Sequence, residues 1–160
     1  MNLLTGVEST ELFGGTVSPA VQHLIDVARN APPAQVEAAL WTAAATAPDQ
    51  LPVYYLLYKM HAGRGQLDLA LSAASKGLSA AAKAAQLAAD WRQVAPGDTD
   101  FSVPGPARFW LFTLKALAFI NLRKDDRDTA SALVAKLRLL DPEDHLGAST
   151  VETLLRQSAA

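Results

Sequence analysis

Two stretches of this chain, sixty residues apart, repeat the same order of large and small side chains, and that recurrence narrows the fold more than any other feature. In the first, Tyr54, Leu57, Tyr58 and His61 are followed, beyond Gly63-Arg64-Gly65, by Ala70, Ala74 and Gly77. In the second, Leu114, Leu117, Ala118 and Asn121 are followed by Ala130, Val134 and Leu137, and the stretch closes on Leu140-Asp141-Pro142. Steps of three, four and seven residues place side chains on one helix face, whereas a strand would need alternation. Upstream, Val36, Leu40, Ala43 and Pro48 match the second half of a further copy, with Pro48 six residues before Tyr54. A recurring unit of this kind is a helix pair that buries its apolar face only by stacking on its neighbours.

Proline and glycine mark where the helices begin and end. Ser18-Pro19 is an N-cap followed by proline at the first helical position, which starts a helix over 18–30. Ala31-Pro32-Pro33 breaks it, because proline has no N–H and restricts the residue before it. Further helices are predicted over about 34–47, 52–62, 106–123, 126–140 and 147–157. A helix starting near Gln66 meets no obvious stop before Ala95-Pro96-Gly97, so it is either long or broken near Gly77. Residues 1–17, with Gly6, Gly14 and Gly15 and little periodicity, read as a flexible arm. The rest, 18–158, reads as one all-α domain of about seven helices, with an irregular insertion around 78–105. Alanine makes up about a fifth of the chain, which favours helices and lets them approach closely.

With these residues in hand, the chain from about Ser18 to Pro142 resembles tetratricopeptide-repeat (TPR-like) proteins. Their pattern is W-x2-L-G-x2-Y, then A, x3-F and P over 34 residues. The resemblance implies an antiparallel array of about three helix pairs. Two departures stand out: Tyr58 replaces the usual small residue, and the sixty-residue interval leaves some 26 residues inserted within or after the second copy. Within this fold, the tract from Ala107 through Phe109-Trp110 to Phe119, with Leu140-Asp141-Pro142-Glu143-Asp144 and Leu146-Gly147-Ala148, looks like small repeat proteins encoded among proteobacterial nitrogen-fixation genes. That likeness implies an accessory or assembly role for a metalloenzyme whose metal is held elsewhere.

Composition excludes several function classes. There are no cysteines, hence no disulfide, thiolate metal site or thiol chemistry. The net charge is −2, from 16 acids and 14 bases without a long run of either sign, which argues against a nucleic-acid partner. No window has the length and apolarity of a membrane span, and the N-terminus lacks a secretion signal, so the expected location is cytoplasmic. No nucleophile elbow, zinc spacing or carboxylate pair appears, so no catalytic residue, cofactor or metal is expected. His61 stands where the repeat calls for a packing residue, and Asp141, Glu143, Asp144 and His145 read as a helix stop followed by acids at the next helix start.

The chain therefore reads as a non-enzymatic scaffold or adaptor. In the TPR frame the first helix of each pair lines a concave groove. The groove-facing slots are Tyr55 and Lys59 in one copy and Phe112, Lys115 and Phe119 in the next, flanked by Arg108 and Arg123. Cations among aromatics suit a partner segment that carries acids and apolar anchors. Asn is missing from the slots held by Lys59 and Phe119, which disfavours the carboxylate clamp of repeat co-chaperones. A dedicated chaperone or accessory factor, an enzyme with an unrecognised site, and a homodimer remain alternatives.

Overall fold

The computed structural model describes residues 31–158 and, before them, Pro19, Ala20, His23, Asp26 and Val27. The expected arm at 1–17 lies outside the described residues. So does most of the helix expected over 18–30, although its five described residues are helical. The fold is all-α, as expected, with no strand among the described residues. The helices are α1 (Pro33–Thr46), α2 (Leu51–Gly63), α3 (Leu67–Ala85), α4 (Pro106–Arg123), α5 (Arg127–Leu140) and α6 (Ala148–Ser158), with a 3-10 turn at Trp91–Gln93. Prolines sit in the first turns of α1, α2 and α4, where a missing N–H leaves no hydrogen bond unmade.

The sixty-residue recurrence is carried in the backbone as well as in the side chains. In the turn after α2, Gly65 has φ +72 and Gln66 N–H donates to His61 O at 2.9 Å. In the turn after α4, Asp125 has φ +63 and Asp126 N–H donates to Asn121 O, also at 2.9 Å. Both turns need one left-handed residue, which glycine adopts freely and aspartate tolerates. Asp126 then caps α5, accepting from the Thr129 N–H at 3.1 Å and from its hydroxyl at 2.7 Å. The ends of α1 and α5 also match: Ala47 and Asp141, each just before a proline, have φ −134 and −131 and donate back four residues.

Helices stack in chain order, each from α1 to α5 packing on the next and α5 on α6, while α4 also touches α2 and α6. Small residues set the separations. Ala70 and Ala130, the expected close-contact positions, are fully buried. At Gly77 an added Cβ would lie 2.8 Å from Tyr54 Cβ, so α3 crosses α2 almost backbone to side-chain root.

Gly77 does not break α3. The helix ends at Ala85, where Gln86 turns left-handed (φ 58, ψ 39) and Leu87 N–H reaches back to Ala82 O at 2.8 Å. The expected insertion is therefore shorter, because residues 78–85 prolong α3 and only 86–105 are irregular. That tract is tied down. Val94 and Phe101 are buried, the Phe101 ring packs 5.7 Å from Trp110, and Lys136 Nζ donates to Arg92 O and Val94 O at 2.9 and 2.7 Å.

Candidate partner-binding face

α2 and α4 run parallel, since Tyr55 meets Phe112 early in both helices and Ala62 meets Arg123 late in both. The seven residues expected to face a groove all lie on this pair, but the structure divides them.

Three are interior. Phe112 is completely buried, and Tyr55 is 6% exposed, its ring edge-on to Tyr58 at 5.7 Å and tilted on Phe112 at 5.9 Å. Lys115 is also only 6% exposed. The expectation that these three line an open surface is corrected: they belong to the packed interior. The reason is the position of α4, which touches α2, α3, α5 and α6 and has twelve of its eighteen residues buried. Burial pushes the Lys115 ammonium pKa down, and the charge of Asp144 pulls part of the way back. No carboxylate stands within ion-pair distance of Lys115 among the described residues.

Four remain accessible, in two places. Lys59 is half-buried, with its ammonium 5.7 Å from the Tyr55 ring centroid. Phe119 is half-buried beneath the Arg123 guanidinium, which lies 5.8 Å from its ring centroid. Arg123 also donates from Nη1 to Ala62 O at 3.1 Å, bridging α4 to the end of α2. Each cation thus lies over an aromatic face, an attraction of about 0.5–1 kcal/mol when exposed. Arg108 is elsewhere, at the start of α4, beside a cavity of about 260 Å³ that it shares with Phe101, Asp141 and His145.

The loop after α5 is an organised turn. Buried Asp141 accepts from the His145 and Leu146 N–H groups at 3.1 and 2.9 Å. Partial burial raises the pKa of Asp144, but hydrogen bonds from Ser149 and Ala148, with Arg138 at 3.8 Å, overcome this and hold it low. His61 is fully buried as a structural residue. Its Nε2 accepts the Trp41 indole N–H at 3.2 Å, which leaves the ring proton on Nδ1, facing Gln66 Oε1 at 2.8 Å.

Two features escaped the sequence reading. Lys136 is a strut for the 86–105 tract. A groove also opens between α1 and α3, around Trp41, for which the seven-residue spacing of Lys76 and Lys83 was the available signal.

Fold and face together define a stacked helical-array protein with a basic, partly aromatic edge on α2 and α4. A protein of Azotobacter chroococcum mcd 1, described as an uncharacterized 19.8 kDa protein in the nifW 5′ region, is 26% identical over 151 residues, covering 92% of this chain and 85% of its own length. The chain is thus a distant relative of a nif-region protein. No protein-family model matches it, and no solved structure matches it. No helix among the described residues is long and apolar enough to cross a membrane.

Proposed function

We propose that this chain is a non-enzymatic TPR-like scaffold that serves a nitrogen-fixation system as an accessory or assembly factor, gripping a partner protein along the exposed edge of α2 and α4. The carrying observation is the pair of cations laid over aromatic rings, Lys59 on Tyr55 and Arg123 on Phe119. Tyr55 is buried, so the apolar area on offer is half-buried Phe119, and with the charges of Arg123 and Lys59 beside it this suits a segment bearing acids and apolar anchors. The repeated turns and the alternate packing of α2, α4 and α6 support the TPR-like reading, and the nif-region relative supports the cellular role. The reading places the protein in the cytoplasm.

Two measurements test it. Immobilised protein should capture a nitrogen-fixation gene product from the native host, and Lys59→Glu with Arg123→Glu should reduce that capture by about tenfold or more. Deleting the gene should slow growth on dinitrogen and leave growth on ammonium unchanged. Equal capture by the double variant would remove the face, and normal growth on dinitrogen would remove the cellular role.

A further inference from the structure

α1 and α3 both pack on α2, and a trough of about 970 Å³ stays open between them. Its apolar surface comes from half-buried Trp41, from Ala44 and Ala45 on α1, and from Ala80 and Ala84 on α3. Its polar lip is cationic. Lys76 and Lys83 are both exposed and stand seven residues apart on α3, two turns or about 10 Å along the axis. Neither has a carboxylate within ion-pair distance among the described residues, and the Lys76 ammonium lies 4.9 Å from the Trp41 ring centroid. Asp49 is the one acid on the rim among the described residues.

We propose that this trough docks an acidic amphipathic helix from a partner protein, a second contact separate from the α2–α4 edge. Charge complementarity selects the occupant. On a chain of net charge −2, two exposed lysines without an ion pair among the described residues, set beside a partly exposed apolar wall, attract an acidic element to this place. Shape points to a helix. The walls are largely exposed, so the trough is shallow and would leave a small molecule wet on one side. No strand edge is available among the described residues to pair an extended segment, so the occupant satisfies its own backbone hydrogen bonds. Alanines on both walls let that helix lie close, and carboxylates two turns apart on it would meet Lys76 and Lys83.

The probe is a labelled helical peptide of about five turns, with a Leu/Ala face and glutamates seven residues apart. A lysine version serves as its counterpart. Fluorescence anisotropy at low salt should show the wild-type protein binding the glutamate peptide about tenfold more tightly than the lysine peptide. Lys76→Glu with Lys83→Glu should reverse that preference, and Lys59→Glu with Arg123→Glu should leave it unchanged. The last comparison separates this site from the α2–α4 edge, so either can fail alone. Equal binding of the two peptides, or a preference that survives the Lys76 and Lys83 reversal, would overturn the proposal. So would a concentration-dependent dimer that the same reversal abolishes, because the trough would then hold a second copy of this chain.

Discussion

Lys115 shows how much a single residue's meaning depends on its neighbours. As a cation on a first-helix stripe it belongs to a recognition surface; with 6% of its surface exposed and no ion pair among the described residues, it is a charge held at a cost. Its folded-state pKa is lowered, so folding disfavours the charged form. The cost is fully present below the folded pKa and is relieved as pH rises from there to the ordinary lysine value. Lys115→Met should therefore stabilise the protein by about 1 kcal/mol at neutral pH, and the gain should fade under alkaline conditions. Urea melts across pH would check this, and a lower midpoint for the variant at neutral pH would mean that the ammonium has a partner worth more than its burial. A charge reversal at Lys115 reports on packing rather than on recognition, which leaves Lys59 and Arg123 as the positions that test the face.

At the scale of elements, the decisive contact is between α2 and α3. A Cβ at Gly77 would stand 2.8 Å from Tyr54 Cβ, too close for either helix to hold its place. Alanine has the better helix propensity by about 0.8–1 kcal/mol, yet the forced separation should outweigh it. Gly77→Ala should destabilise by about 1–3 kcal/mol in chemical denaturation. A gain in stability would show that α2 and α3 can part freely. The small-residue slot at Gly77 was legible in the sequence through its spacing from Ala70 and Ala74, which are both fully buried. The end of α3 was not. Its cap is Gln86 in a left-handed conformation that glycine or asparagine usually fills, so the stop carried no recognisable residue. Lys136 was equally opaque, because its two acceptors lie more than forty residues away in an irregular tract.

In the whole molecule, stability passes between neighbours along the stack, and α4 is where most contacts converge. α6 closes the array by burying Ala148 and Val151 while covering the side of α4 where Gly147 approaches Lys115. Removing residues 147–158 should lower the melting temperature by about 5 °C or more and expose apolar surface to a hydrophobic dye. A truncated chain that melts like the parent would show that α6 is an appendage and that the array is complete at α5.

The sequence by itself determined the all-helical class, the helix starts at prolines, the glycine turn after residues 54–61 and the small residues between paired helices. Those features are local or strictly periodic, and the physics that selects them acts within a few residues or one helix pair. Only the tertiary structure decided which positions on α4 face outward. A stripe of Arg108, Phe112, Lys115, Phe119 and Arg123 reads the same whether two or four helices surround it. With α2, α3, α5 and α6 all in contact, Phe112 and Lys115 go inside, and the exposed chemistry contracts to Lys59, Phe119 and Arg123 at one end with Arg108 apart from them. The groove at Trp41 likewise exists only because α1 and α3 share α2 as their support; the spacing of Lys76 and Lys83 marks a cationic side of α3 and does not say that a groove lies beside it.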